Sequence, residues 1–339
     1  MNDKRKRRKN SMILSVITVF ALTLVLIGCG TDNLPSGGQA SGGQDANAKS
    51  EKSVLRIGYQ KSGTLMVLKA NGDLEKKLAP LGTKVQWSEF STGLSVLEAL
   101  GNGSIDFGIA GDAPVLFGQE RGLPFLYVAS EPSSPQSEGI LVKKDSPIKT
   151  IADLKGKKVA FNKASISQYL LHESLASVGL TMNDIEPVYL APPDARIAFE
   201  RGSADAWVVW DPFFSAAELA GNRVLSDGKG LVSYRTFYLG GKKFSEQHPE
   251  VLQALVKELQ NISVWINENP TEVAQLLSAE TQLDLAVWEQ SLRRRPLTIK
   301  LIDEEIIKDQ QNVADTFLKI GLISKKINVK DSVWVPEKQ

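Results

Sequence analysis

From Val54 onward, short runs of β-branched and aromatic residues alternate with longer stretches whose apolar positions recur every three to four residues. A period near two marks a half-buried strand, and a period near 3.6 marks an amphipathic helix. The pattern predicts strands at 54–59, 84–90, 105–109 and 125–129, with helices at 64–78, 94–101 and 114–121. A second set predicts strands at 140–142, 158–161, 187–190 and 206–210, with helices at 166–178 and 194–201. After a strand at 237–240 the chain turns helical at 249–267, 270–277, 285–293 and 303–320, where Pro249 and Pro270 stand at helix starts. Strand and helix in turn predict an α/β protein with a parallel sheet and right-handed crossovers in each set. If the last helices pack back onto the first sheet, the chain crosses between two lobes near 131–139 and again near 234–240. Lobe 1 is then 53–135 with 236–339, and lobe 2 is 136–235.

The first 52 residues read differently. Lys4 to Lys9 are all basic, and an apolar stretch from Met12 to Ile27 follows, broken only by Ser15, Thr18 and Thr23. A basic segment ahead of a short apolar one is the pattern of a secretory signal peptide, and the stretch falls below the ~20 residues that usually span a bilayer. A signal peptide is expected over 1–28. Residues 30–52 are rich in Gly, Ser, Asn, Asp and Gln, with Leu34 their only large apolar side chain. Such a segment cannot bury enough surface to fold, so 29–52 is expected to be a flexible tether.

Composition adds two exclusions. With 42% hydrophobic residues in 339 the chain can bury a core, and its single cysteine leaves no internal disulfide. The balance of 40 basic and 39 acidic residues conceals an asymmetry, because the first 28 carry net +5 and the remainder about −4. A mildly acidic body lacks the basic face that engages phosphates, so nucleic acid is not an expected partner.

Catalytic signatures are missing from the sequence. There is no G-x-S-x-G elbow, no phosphate loop, no H-E-x-x-H and no G-x-G-x-x-G after a strand. His172 and His248 lack metal-ligand spacing and read as packing or helix-start residues, so neither an enzyme nor a metal or cofactor site is expected. The candidate site is instead the set of loops at strand ends, where open α/β sheets gather ligands. Gln60-Lys61-Ser62-Gly63-Thr64 closes the first strand and opens a helix whose N–H groups favour an anion. The competing reading is that Ser62 or Thr64 only caps that helix.

Ser91-Thr92-Gly93 and Gly111-Asp112-Ala113 repeat the pattern. In the second set, Asn162 to Ser167 offers another hydroxyl-bearing helix start through Ser165. Arg196 stands in the first turn of a helix, where the dipole favours an acid, which suggests either an anionic ligand or a nearby carboxylate partner. Trp210-Asp211-Pro212 ends the last strand with an aromatic face and a carboxylate. Alternation turns Trp207 and Trp210 to opposite faces, with Trp210 expected at the crevice. Asp112 and Asp211 facing the crevice would favour a ligand that also carries an amine.

Several segments resemble a known family. Leu55 to Lys61, Gly103 to Gly108 with Gly111 to Pro114, Ile148 to Phe161, Asp194-Ala195-Arg196 with Asp205 to Pro212, and Arg295 to Lys300 look like the aliphatic-sulfonate-binding proteins of ABC importers. The resemblance runs from about Val54 to Trp334. It implies a two-lobed periplasmic-binding-protein-like fold with two crossover hinges, which captures an alkanesulfonate and delivers it to a permease powered by an ATPase. Taurine, nitrate or another small metabolite is the alternative cargo. The site it implies comprises Ser62, Gly63, Thr64, Gly111, Asp112, Ser165, Trp210 and Asp211, with Arg196 as the sulfonate partner, and the strand-end loops add Gln60, Ser91 and Thr92 to the expected ligand-binding residues. Ala164 and Ile166 interrupt the glycine and serine run that the family would carry there. Leu26-Ile27-Gly28-Cys29 resembles the lipobox of bacterial lipoproteins, which implies acylation of Cys29, for example by palmitate, and anchoring at the outer face of the cell membrane. A monomer is expected.

Overall fold

The structure, a computed structural model, describes residues 53–336. The expected signal peptide, Cys29 and the tether lie outside the described residues. The chain first lays down β1 (Val54–Tyr59), α1 (Thr64–Asn71), α2 (Asp73–Leu78), β2 (Lys84–Glu89), α3 (Gly93–Gly101), β3 (Phe107–Gly111), α4 (Asp112–Glu120) and β4 (Phe125–Ser130). It then builds β5 (Glu138–Val142), β6 (Lys158–Phe161), α5 (Ile166–Ala176), β7 (Glu186–Tyr189), α6 (Pro192–Glu200), β8 (Ala206–Trp210), α7 (Phe213–Leu219) and β9 (Arg223–Asp227). It ends with β10 (Thr236–Gly241), α8 (Lys242–Gln247), α9 (Pro249–Glu268), α10 (Pro270–Thr281), α11 (Leu285–Arg294), β11 (Lys300–Leu301) and α12 (Glu304–Lys319).

One sheet has the order β11-β4-β10-β3-β1-β2, and the other β7-β6-β8-β5-β9. The chain therefore passes from the first sheet to the second after β4 and returns before β10. The two crossing segments lie side by side, with Glu131 N–H donating to Thr236 O at 2.9 Å and Ser134 N–H to Tyr234 O at 2.9 Å.

The expectation of a parallel sheet in each set holds for part of each sheet and needs correction for the rest. β1, β2 and β3 are parallel, as are β6, β7 and β8, but β10 runs antiparallel between β3 and β4. Likewise β5 runs antiparallel between β8 and β9. Both strands begin opposite the carboxyl end of a neighbour, Thr236 across from Gly111 and Glu138 across from Trp210. A strand arriving from the other sheet enters at that end, whereas a strand fed by a local helix enters at the far one. Period-two alternation carries no direction and could not reveal this.

Local differences also have causes. The helix expected at 64–78 is divided by Gly72, which takes φ 71° and donates to Leu68 O at 3.3 Å, closing α1 with a left-handed cap. The third strand starts at Phe107 because Asp106 is engaged by Arg56, accepting from its backbone N–H, Nε and Nη2 at 2.9, 2.9 and 2.7 Å. The elements α7, α8, β9 and β11 carry too few periods to be read from sequence, and β9 is half-buried along its whole length.

Burial follows the layers. Leu55 and Ile57 of β1 pack with Val251 and Leu255 of α9 and Trp288 of α11. On the opposite face Leu97 of α3 and Leu116 of α4 meet Phe317 of α12. The C-terminal helices thus cover both faces of the first sheet. The second sheet lies between Leu170 and Leu171 of α5 on one side and Phe199 of α6 and Phe214 of α7 on the other. Each fully buried side chain of this size contributes about 1.5–3 kcal/mol. Trp207 is in that last cluster at 1% exposure, while Trp210 faces the other way and joins the layer around α4 and α12.

Candidate ligand-binding site

The carboxyl ends of the strands in both sheets meet around a cavity of about 420 Å³ of atom-free space, its mouth included. Helix starts surround it. Ser62 precedes α1, Gly93 opens α3, Gly111 and Pro114 belong to the turn into α4, and Ser165 and Ile166 begin α5 from the second sheet. Backbone N–H groups and the positive dipole ends of helices converge there, which suits an anion. Ile109, Ala110 and Trp210 supply apolar wall. Gly111 permits the sheets to approach, since a Cβ there would stand 2.6 Å from Ile166 Cγ2.

Among the described residues lining this cavity, Arg295, just past α11, is a cation and none is a carboxylate. The Arg295 side chain is 7% exposed and pairs with Glu131, with Nε at 2.7 Å and Nη2 at 2.6 Å from Oε2. Nη2 also donates to Thr236 Oγ1 at 2.9 Å. Glu131 in turn accepts from Tyr238 Oη at 2.7 Å and Thr64 Oγ1 at 3.4 Å. Burial alone would lower the Arg295 pKa, but Glu131 beside it, with Tyr234 and Tyr238, carries it above the ordinary value. The guanidinium therefore stays charged and is held in one orientation. Gly63 sits against it, because its φ of 76° favours glycine and a Cβ would lie 3.4 Å from Arg295 Nη2.

Three other buried carboxyls near the cavity are shifted upward. Burial raises the pKa of Asp112, with hydrogen bonds from Ser233, Ala113 and Arg235 pulling it partly back. Burial likewise pushes Asp211 up to about 6. Glu138, with neither carboxylate oxygen hydrogen-bonded, is raised well above the carboxylate range by burial and by Asp112.

Among the residues expected from sequence, the cavity brings together Gln60, Ser62, Gly111, Ser165 and Trp210. The others have different places. Thr64 is buried and turned to Glu131. Thr92 caps α3, accepting from Ser95 N–H at 3.3 Å, and Ser91 lines an adjoining outer chamber.

Asp112 does not line the cavity. Its oxygens accept from Ala113 N–H and Ser233 Oγ, each at 2.8 Å, and from Arg235 N–H at 3.1 Å, tying α4 to the returning chain. Asp211 holds the start of α7, accepting from Ser215 N–H at 2.8 Å and Oγ at 2.6 Å. The expectation that these two acids face the crevice and favour an amine is therefore corrected: neither lines the cavity, Asp112 is held by backbone and hydroxyl donors, and Asp211 is held through Oδ1 alone, its buried Oδ2 being without a hydrogen-bond partner.

Arg196 is corrected too. It lies on the exposed side of α6, paired with Glu200 one turn on at 2.7 Å, so a carboxylate partner rather than a ligand balances its charge. Tyr234, Thr236 and Arg295 are cavity residues that sequence reasoning did not assign. For Arg295 a signal existed in the Arg295 to Lys300 segment, but nothing local showed which way that arginine turns.

A family model described as NMT1/THI5 like matches residues 81–273. The chain is also 42% identical over 291 residues to an aliphatic sulfonates-binding protein of Escherichia coli (strain K12), covering 85% of this chain and 91% of that one. The chain belongs to the NMT1/THI5-like family and, within it, with the aliphatic-sulfonate-binding proteins. A second such relative, from Bacillus subtilis (strain 168), is 35% identical over 321 residues, 94% of this chain and 93% of its own. Among solved structures, the alkanesulfonate-binding protein from Xanthomonas axonopodis pv. citri bound to MOPS superposes with a TM-score of 0.78 at 39% identity, covering 84% of this chain and 99% of that one. The family's two-lobed periplasmic-binding-protein fold is thus the fold of this chain. Each of these relatives is named for binding, not for catalysis.

Proposed function

We propose that the protein is the solute-binding component of an ABC importer and captures alkanesulfonates in the cavity between its two sheets. The observation that carries this reading is a cavity ringed by helix starts from both sheets, whose lining among the described residues holds the buried guanidinium of Arg295, oriented by Glu131, and no carboxylate. A sulfonate is a monoanion with three acceptor oxygens, which such donors can satisfy together, while its carbon chain needs only apolar wall. The absence of a lining carboxylate favours simple alkanesulfonates over an aminosulfonate such as taurine. The relatives named for aliphatic sulfonates support the same choice.

The lobes, 53–135 with 236–339 and 136–235, would close on the ligand about the paired crossing segments and present it to a permease and its ATPase. The protein works as a monomer in this reading. Acylation at Cys29 would hold it at the outer face of the cell membrane, two or more acyl chains being needed for stable anchoring. Cys29→Ala should abolish fatty-acid labelling in cells; equal label in both forms would remove the anchor from the reading.

The ligand assignment is tested by thermal unfolding of the mature domain. Ethanesulfonate at a hundredfold excess over its dissociation constant should add about 2.7 kcal/mol, and nitrate, sulfate and taurine should add less. A flat response to ethanesulfonate beside a clear shift from a neutral metabolite would overturn the assignment.

A further inference from the structure

The end of the first sheet that points away from the cavity carries a different chemistry. β1, β2, β3 and β4 begin there and β10 finishes there, with Lys84 opposite Val54 and Gly241 opposite Phe125. At these strand ends lies a recess of about 1070 Å³ of atom-free space, its mouth included, with Leu100, Ile105 and Phe244 as apolar wall. Among the described residues that line it the one carboxylate is Asp106, which Arg56 occupies at 2.7 Å. Lys242 and Lys243 line it too, are exposed, and form no ion pair among the described residues.

The recess belongs to a wider basic end. Lys84 is exposed at the start of β2, and Lys325 and Lys326 are exposed just past Ser324, whose Oγ donates to Glu120 at the end of α4 at 2.8 Å. Glu98 pairs with Arg121 at 3.6 Å, so that exposed Glu246 and Glu250 stand against these five lysines. Beyond residue 28 the chain is net about −4, so this positive charge is segregated at one end rather than general.

Position selects the partner. A ligand handed to a permease leaves from the cavity, at the opposite end of the strands, so this end is free for another surface. The chain also enters the sheet here: Val54 lines the recess, and 24 residues separate it from Cys29. A Gly- and Ser-rich chain of that length has a root-mean-square reach of about 25–30 Å. An acylated Cys29 would therefore keep this end closer to the headgroups than the cavity, and contacts made at such short range count even when each is weak. We infer that the basic end of the first sheet, around Lys242 and Lys243, docks on the anionic lipid surface of the membrane, with a lipid headgroup in the recess. This draws on the acylation reading for the tether alone, and its test uses an unacylated chain, so that either can fail without the other.

The test is cosedimentation of the mature chain carrying Cys29→Ala with vesicles of phosphatidylglycerol and phosphatidylcholine in equal parts, and with vesicles of phosphatidylcholine alone. At low salt partition onto the anionic vesicles should exceed that onto the neutral ones by about tenfold or more, and added sodium chloride should weaken it. Each lysine at such a surface is worth about a fivefold gain, so Lys242→Ala with Lys243→Ala should lose roughly 5–25-fold, and Lys84→Ala with Lys326→Ala should lose binding as well. Lys149→Ala with Lys229→Ala removes two exposed lysines from the second sheet's layer and should change partition by less than about twofold. Urea unfolding checks each variant's fold. Equal partition onto both kinds of vesicle, none at low salt, no loss in the Lys242 and Lys243 pair, or an equal loss in the Lys149 and Lys229 pair would overturn the docking surface. Release by inorganic phosphate beyond that caused by chloride of equal ionic strength would show that the recess takes a soluble anion, and would overturn the lipid assignment.

Discussion

Arg294→Ala probes the contact by which the two layers hold each other. Arg294 ends α11, whose Trp288 belongs to the first sheet's core, yet its partners lie in the second sheet's layer. The guanidinium is bonded to Glu218 of α7, donates to Ser215 Oγ at 3.3 Å and lies 4.6 Å from the centre of the Phe214 ring. A charge-assisted hydrogen bond is worth about 1.5–3 kcal/mol and a partly exposed cation–π contact about 0.5–1 kcal/mol. With 20% of the Arg294 side chain and 33% of Glu218 exposed, screening by solvent brings the net value to about 1–2 kcal/mol.

Because the partners sit in different layers, this energy bears on whether the lobes stay together rather than on the folding of either. If the ligand is held only while they are together, the loss appears in binding as a roughly 5–30-fold weaker affinity. Dissociation should account for most of it. Calorimetric titration with ethanesulfonate and stopped-flow release measure both quantities, and urea unfolding of the unliganded variant checks the fold. Arg196→Ala is the control: its exposed pair with Glu200 is confined to α6, so affinity should stay within about twofold. Unchanged affinity in Arg294→Ala, or an equal loss in Arg196→Ala, would refute the reasoning.

Two further outcomes follow from buried groups. Asp211 is raised by burial from 3.8 to about 6, so the unfolded chain releases its proton first, and this group's stabilising contribution, complete below about pH 4, is lost as pH rises through 6. Asp211→Asn removes that dependence: between pH 4 and 7 the stability difference should swing by roughly 2–2.5 kcal/mol in the variant's favour, and parallel pH profiles from urea unfolding would count against the assignment. Trp207→Ala, at a site 1% exposed between Phe199 and Phe213, should lower stability by about 3–5 kcal/mol in the same measurement. A cost under 1 kcal/mol would mean that the side chain does not carry that core.

The sequence by itself determined the elements whose signals are local. The strands Val54–Tyr59, Lys158–Phe161 and Ala206–Trp210 are bounded as their alternation requires, and Pro249 and Pro270 begin α9 and α10. Glycines and hydroxyls after the first, second, third and sixth strands located the helix starts that surround the cavity, because a turn and a cap are written within a few consecutive residues. The family resemblance was legible for the same reason, in short motifs.

What only the tertiary structure decided was pairing at a distance. Arg295 meets Glu131 across 164 positions, and neither residue's neighbours in sequence disclose the other. Asp112, Asp211 and Arg196 read as ligand partners from their places at helix starts, yet each is bonded to a partner within the protein and none lines the cavity. Strand direction depended on where the chain re-enters a sheet. A charged side chain near a strand end can serve a ligand or the fold, and only packing decides which: Arg196 is turned to solvent with Glu200, whereas Arg295 is buried against Glu131 with its guanidinium at the cavity wall.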